Sequence, residues 1–221
     1  MRPITRFLRP FCRNLPGVMA ALMLGSLVLP GCSHSYESVP LTLNAKGDRP
    51  VALAVLDQRP YINPSPSGKS PAYVGVQYSL EGIPFDVKTA SGRPMASDWA
   101  DAIAAALRAR GFDVRVLPTT NSMDRAAVIR ELGATGSRSL FIGVKDWNVD
   151  ARQAADVDFQ ITVQALDENG KVLAETGAGG REHLGADFVN GATYSRDQAI
   201  AAFKSKMEQL LNDPKIVEAL K

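Results

Sequence analysis

The sequence predicts an α/β (α+β) two-layer sandwich, in which a mixed sheet has helices packed mainly on one face. Two observations lead to this fold class. Segments with the period of a strand and segments with the period of a helix follow each other in the order strand, hairpin, helix, strand, helix, three strands, helix. Residues 51–221 are also enough for one domain with a full hydrophobic core, and too few for two.

The first predicted elements are a buried strand and a hairpin. Val51–Leu56 is a short and wholly apolar run, which is typical of a strand covered on both faces, and Pro60 ends it. Residues 61–71 are rich in Pro, Ser and Gly and predict a loop. Tyr73–Tyr78 and Pro84–Thr89 then have the composition of two strands that pair around a turn containing glycine.

Two helices are predicted in the middle of the chain. Ser97 is suited to cap the first, and Gly111 lies just past its end. Asn121 or Ser122 is suited to cap the second, which ends at Gly133. A short alternating segment over residues 112–116 predicts a strand between them.

Three long strands follow. Residues 140–149 predict a strand, and strict alternation from Phe141 would place Trp147 on the face of Phe141, Lys145 and Val149. Residues 156–166 alternate most regularly of all, so one face is expected in the core and the other in water. The turn residues Asn169-Gly170 then return the chain antiparallel over residues 171–181.

The last predicted elements are helical. Ser195 with Gln198 forms a capping box, which predicts the start of a long helix. Asp213-Pro214 ends that helix and begins a short final one. The long helix carries an apolar stripe that is expected to face the core: Ala199, Phe203, Met207, Leu210 and Leu211.

Residues 1–31 have the layout of a signal peptide. A basic segment without acidic residues precedes the apolar run Val18–Leu29, whose 12 residues rise about 18 Å as a helix, less than the ~30 Å of a bilayer core. The run ends in Leu29-Pro30-Gly31-Cys32, which resembles a bacterial lipobox except that Pro30 is unusual at its position. Residues 1–31 are therefore predicted to be removed on export.

Cys32 is the predicted lipid attachment site. The resemblance implies that its sulfur carries a diacylglycerol and its amine a third acyl chain, which together anchor the protein durably. Because Ser33 is not an aspartate, the resemblance also implies the outer membrane. The alternative is a free or buried thiol. Residues 32–50, rich in small polar residues and proline, predict a tether, with an edge strand at residues 39–43.

The charge distribution argues against nucleic acid as a partner. The four arginines at positions 2, 6, 9 and 13 are the only charges before Cys32, so the mature chain has 21 basic and 23 acidic residues and a net charge of 21 − 23 = −2. The apparent basic excess therefore belongs to the signal peptide.

The mature region resembles the YajG-like family of bacterial lipoproteins. The resemblance depends on the lipobox, on Asp57-Gln58-Arg59 after the first strand, on the segment 110–114, on the hairpin near Asn169-Gly170 and on the terminal helix. It implies an envelope lipoprotein of uncharacterised role, and it supplies no active-site residues.

Few residues indicate chemistry. Asp57, Gln58 and Arg59 end a predicted central strand, where open sheets bind ligands, although Asp57 and Arg59 are also suited to pair locally. Trp147 fits either an exposed recognition surface or the core. His183 is the one histidine after the tether, and Glu182 beside it points to the opposite face of a strand. Neither cysteine pairs nor spaced histidines indicate a metal site.

These observations predict a non-enzymatic lipoprotein on the periplasmic face of the outer membrane. Its expected partners are the bilayer, through the acyl chains on Cys32, and another envelope protein or a cell-wall component. No further cofactor is expected. The alternative is an envelope hydrolase or glycan-binding enzyme that uses Asp57, Arg59 or His183; these groups would then have to converge in a cleft.

Overall fold

The computed structural model describes residues 35–36, 39–79, 81–152, 154–185 and 191–221; for residues 35, 36 and 191–196 the backbone alone is described. In these residues one mixed sheet of eight strands is combined with four helices, so the predicted fold class is confirmed. The strands are β1 (Ser35–Tyr36), β2 (Pro50–Asp57), β3 (Tyr73–Tyr78), β4 (Pro84–Thr89), β5 (Asp113–Val116), β6 (Arg138–Ala151), β7 (Ala155–Leu166) and β8 (Val172–Gly185). The helices are α1 (Met95–Ala109), α2 (Arg125–Gly133), α3 (Gly191–Leu211) and α4 (Pro214–Ala219).

The sheet divides beside β6. Along one edge, β6 pairs antiparallel with β7 over almost its whole length, and β7 pairs antiparallel with β8. Along the other edge, β2 runs parallel to the first half of β6, and β3 runs parallel to its last residues. The pairs Asp57↔Val144 and Gly75↔Val149 bound a gap between β2 and β3, here named the fork. β5 extends the sheet beyond β2, and β4 and β1 extend it beyond β3.

β2 separates two hydrophobic cores, as its apolar sequence predicts. Val51, Leu53 and Val55 face the main core, which α1, α3 and α4 cover. Ala52, Ala54 and Leu56 face a smaller core, which α2 closes with Val128 and Leu132. Helices therefore lie mainly on one face of the sheet. The predicted apolar stripe of α3 is confirmed, since all five residues are buried.

The predicted starts of α1 and α2 are wrong. α1 begins at Met95 after Pro94, and the Ser97 amide donates to the Pro94 carbonyl inside the first turn, so Ser97 is not the cap. α2 is capped by Asp124 rather than by Asn121 or Ser122. Several cap-type residues precede each helix, and tertiary packing selects among them.

The predicted start of α3 is also wrong, whereas the predicted start of α4 is confirmed. α3 begins at Gly191, so Ser195 lies inside the helix rather than at its start. Asp213 accepts a hydrogen bond from the Lys215 amide and caps α4, with Pro214 at its first position, as predicted. None of the helices in the described residues is long and apolar enough to cross a membrane.

Both predicted hairpins are confirmed. β3 and β4 pair antiparallel, and β7 and β8 do so around Asn169-Gly170. Gly170 has a φ of 81°, a conformation that glycine adopts without strain. The Asp167 carboxylate accepts hydrogen bonds from the amides of Asn169 and Lys171, which fixes this turn.

A bulge in β6 corrects the predicted face of Trp147. The register between β6 and β7 shifts between Val144 and Asp146, which inserts one residue. Phe141 therefore lies in the smaller core, whereas Trp147 and Val149 lie in the main core on the opposite face. Strict alternation from Phe141 to Trp147 was the wrong assumption.

The second half of the predicted tether packs on the domain. Leu41, Leu43 and Ala45 are buried in the main core. The predicted edge strand at residues 39–43 does not form; the backbone of Thr42 is instead bound by the side chains of Glu208 on α3 and of Asn212 just after it. This segment therefore packs against α3 instead of pairing with a strand.

Candidate functional site

Asp57 and Arg59, predicted as ligand contacts at the end of β2, are bound to each other inside the protein. Arg59 donates from Nε to Asp57 Oδ1 at 2.9 Å and from Nη2 to Asp57 Oδ2 at 2.8 Å. Arg59 is 2% exposed and Asp57 is 4% exposed. This is a two-point charged contact without access to solvent, as the interpretation of local pairing expects.

The Arg59 guanidinium fills the fork. Its Nη1 donates to the Tyr73 carbonyl of β3 at 2.8 Å and to the Trp147 carbonyl of β6 at 3.0 Å. The Tyr61 hydroxyl also reaches the Trp147 carbonyl, at 3.0 Å. Neither β2 nor β3 pairs with Trp147. Arg59 therefore supplies the donors where the sheet has no strand, and Asp57 balances the buried charge.

Trp147 belongs to the main core rather than to an exposed surface. It is 0% exposed and packs edge-to-face on Trp99, with ring centroids 5.1 Å apart. Phe203 of α3 contacts both rings. Neither indole N–H has a hydrogen-bond acceptor among the described residues. The cluster joins β6, α1 and α3 by packing alone.

His183 lies on the surface of β8, away from the buried pair. It is 65% exposed, and its Nδ1 is 2.8 Å from Asp156 Oδ1 on the neighbouring strand β7. Asp156 also binds Arg181 at 2.8 Å, and hydrogen bonds from Arg181 and His183 hold the pKa of Asp156 below its usual range. Glu182 contacts Lys206 instead. The structure therefore does not bring His183 together with Asp57 and Arg59.

Gln58 points to a different surface. A Cβ on Gly143 would lie 2.8 Å from Gln58 Oε1, so the absent side chain leaves room for the glutamine. Gly143 pairs with Thr162 of β7, which places Gln58 on the face of the sheet opposite the main core. α2 covers one end of this face, and its Arg125 donates to Gln164.

Beyond α2, no helix of the described residues covers this side of the sheet, and the sequence patterns predicted only part of the surface. Gln160 is exposed, and Gly177 and Gly179 of β8 present bare backbone beside it. The surface, here named the polar face, consists of Gln58, Asp146, Asn148, Asp156, Asp158, Gln160, Thr162 and Arg181. The alternation of β7 predicted its polar side, but the contribution of β6 depends on the bulge.

Two tyrosines hold the β6 side of the polar face. The Tyr61 hydroxyl donates to Asp146 Oδ1 at 2.8 Å, and the Tyr73 hydroxyl donates to Asn148 Oδ1 at 2.7 Å. Burial raises the pKa of Tyr73 to about 12 and also raises the pKa of Tyr61. Both phenols therefore remain protonated donors at neutral pH and fix the orientation of the two β6 side chains.

The chemistry of the polar face is that of hydrogen bonding. It offers amides, a hydroxyl, carboxylates and one arginine. Within the described residues no group of three or more His, Cys, Asp or Glu side chains is placed to hold a metal ion. The arrangement can bind a polar partner by amide and carboxylate contacts. Cys32, the predicted lipid attachment site, lies outside the described residues.

The chain is similar to several solved structures at low identity. A Xanthomonas campestris protein assigned to DUF330 is 9% identical, with 83% of this chain and 95% of that chain covered and a TM-score of 0.47. Lipoprotein GNA1162 from Neisseria meningitidis is 15% identical, with 74% and 99% covered and a TM-score of 0.36. The PelC dodecamer from Paraburkholderia phytofirmans is 14% identical, with 75% and 91% covered and a TM-score of 0.35.

Comparison of the sequence with family models and with curated proteins found no match. The resemblance to the YajG-like family is therefore not confirmed. At the identities and TM-scores above, none of the similar structures assigns a function to this chain.

Proposed function

We propose that this protein is an envelope lipoprotein of the YajG-like kind, anchored by acylated Cys32 on the periplasmic face of the outer membrane, whose domain binds another envelope component. The proposed anchoring is supported by the order of a basic segment, an apolar run and Leu29-Pro30-Gly31-Cys32. Two or three acyl chains make such an attachment effectively permanent.

The contacts of the predicted reactive groups support binding rather than catalysis. Asp57 and Arg59 use their polar atoms on each other and on strand carbonyls. The Asp156 carboxylate beside His183 is shared with Arg181, and His183 itself is 65% exposed. A hydrolase needs a nucleophile or water held between an acid and a base, and these groups are held apart by their own partners.

The polar face is the proposed binding surface. In the described residues no helix covers it beyond α2, Tyr61 and Tyr73 hold its β6 side, and the glycines of β8 let a partner approach the backbone. Its amides and carboxylates suit a polar partner, either another envelope protein or a cell-wall component.

Labelled palmitate tests the anchor. Cells expressing the full chain are labelled and fractionated, and the Cys32→Ala and Cys12→Ala variants are compared. We expect Cys32→Ala to lose both the label and the membrane fraction, whereas Cys12→Ala, whose residue leaves with the signal peptide, retains both. Equal labelling of the wild type and Cys32→Ala contradicts the anchoring.

Cross-linking and pull-down of the acylated chain test the binding surface. Gln160→Arg adds one charged side chain to the exposed centre of the polar face. Ala105→Arg makes the same addition at an exposed position on α1, which packs on the opposite face of the sheet. We expect Gln160→Arg to lose co-purifying envelope components that Ala105→Arg retains; equal recovery contradicts the assignment.

A further inference from the structure

The end of the β3–β4 hairpin carries an exposed apolar pair. Ile83 and Phe85 are each 55% exposed, more than the other exposed large hydrophobic residues of the described chain, Val172 and Leu173. They lie at and just after the turn, with Pro84 between them. Exposed apolar surface is the kind of feature through which proteins contact membranes or partners, which makes this pair a candidate contact site.

Hydrogen bonds fix the backbone of the turn that carries these residues. The Ser79 amide donates to the Ile83 carbonyl at 2.9 Å, and the Gly82 amide donates to the Ser79 carbonyl at 3.0 Å. Gln77 pairs with Phe85 in the hairpin register. Phe85 and Val87 share a face; Val87 packs on the main core, whereas Phe85 extends past it. The apolar pair is therefore a continuation of the core face beyond the body of the domain.

The chain that follows Cys32 enters the sheet beside this hairpin. β1 runs parallel to β4, with Ser35 opposite Lys88. Lys88 and Phe85 are separated by about 10 Å of strand. Cys32 precedes Ser35 by three residues, a length of chain that spans at most about 11 Å. Because β1 and β4 run in the same direction, the amino-terminal end of β1 is directed toward the end of β4 at which Phe85 lies.

We propose that Ile83 and Phe85 insert into the same leaflet that holds the acyl chains of Cys32, so that the hairpin is a second contact with the bilayer. This inference rests on the proposed acylation of Cys32. Burial of the two side chains among lipid acyl groups removes exposed apolar surface from water. The neighbouring Glu81 is exposed and charged, so its carboxylate stays among the headgroups and the insertion is shallow.

Fluorescence quenching by brominated lipids tests the contact. The full acylated chain is reconstituted in phosphatidylethanolamine–phosphatidylglycerol vesicles whose acyl chains are partly brominated. Phe85→Trp places an indole at the hairpin end, and Leu173→Trp places one at an exposed position of β8 that is 45% exposed. Trp99 and Trp147 are buried and give the same background in both variants. The intact mass of each sample reports its acylation.

The expected result is that Phe85→Trp loses most of its added emission in brominated vesicles, whereas Leu173→Trp keeps it. Unquenched Phe85→Trp in an acylated sample overturns the inference, leaves the anchor intact, and assigns the hairpin to a protein partner or a second copy. Equal quenching of both variants also overturns it. A mass without acyl chains contradicts the proposed function itself, and the inference with it.

Discussion

Arg59→Met is the substitution that best separates a structural role of the buried pair from a ligand-binding role. Methionine keeps an unbranched side chain but lacks the side-chain hydrogen bonds to Asp57, Tyr73 and Trp147; only the backbone amide of residue 59 still donates to Asp57. An uncompensated charge left after breaking a buried ion pair costs about 3–5 kcal/mol. The two strand carbonyls that lose their Nη1 donor add roughly 1 kcal/mol each. We therefore expect a loss of roughly 5 kcal/mol or more in the free energy of unfolding.

Urea unfolding followed by tryptophan fluorescence measures this loss, because Trp99 and Trp147 are both buried. At a slope of about 2 kcal/mol per M, the midpoint falls by roughly 2 M or more. Arg181→Met is the matched control, since it breaks surface ion pairs with Asp156 and Asp158 and costs less than about 1 kcal/mol. An Arg59→Met midpoint equal to that of the wild type would refute the structural role and return Arg59 to the candidate ligand contacts.

The double variant Asp57→Asn with Arg59→Met separates charge from hydrogen bonding. Removing both charges relieves the unpaired carboxylate, but the carbonyls of Tyr73 and Trp147 still lack the guanidinium donor. We expect the double variant to be more stable than Arg59→Met alone and less stable than the wild type by roughly 2 kcal/mol. A double variant no more stable than Arg59→Met would show that charge pairing is not the main term.

Three further predictions use the same unfolding assay or a titration. Asp124→Ala removes the cap of α2 and costs about 1 kcal/mol, whereas Ser97→Ala, which removes no cap, changes stability by less than about 0.5 kcal/mol. Trp147→Phe loses no hydrogen bond and costs less than Trp147→Ala, which costs about 3–5 kcal/mol. The pKa of Tyr73 is raised to about 12 in the folded protein. The stabilisation that protonated Tyr73 gives is therefore complete below the unfolded pKa of about 10 and is lost as the pH rises through about 12. Tyr73→Phe removes this late step from the ultraviolet titration.

Local patterns predicted those parts of the fold that depend on a few neighbouring residues. The alternation from Val157 to Ala165 gave the buried and the polar side of β7, and Asn169-Gly170 gave the turn after it. Phe203 and Met207 lie in the core because apolar residues at helical spacing form one face of the helix, and that face packs on the sheet. The buried run of β2 was equally clear.

The features that were missed depend on contacts between distant segments. The bulge at Lys145 has no sequence signal of its own, yet it decides which face Trp147 occupies. The partner of His183 is Asp156, which is fixed by the register of two strands rather than by proximity in sequence. The segment around Thr42 has the composition of a tether, and its partner on α3, Glu208, is 166 residues away in the sequence.

The candidate site was only partly accessible from sequence for the same reason. Asp57 and Arg59 were recognised as a local pair or a ligand contact, but the carbonyls that Arg59 serves exist because β2 and β3 leave a gap beside β6. Gln58 reaches the polar face because Gly143, on another strand, has no side chain. Sheet topology supplies both facts.

The mass of the amino-terminal peptide from protein purified out of native envelopes tests the lipid anchor most directly. We predict a chain that starts at Cys32, with a diacylglycerol on Sγ and an acyl group on the α-amine. A mature chain that starts elsewhere, or one whose Cys32 sulfur is an unmodified thiol, would contradict it.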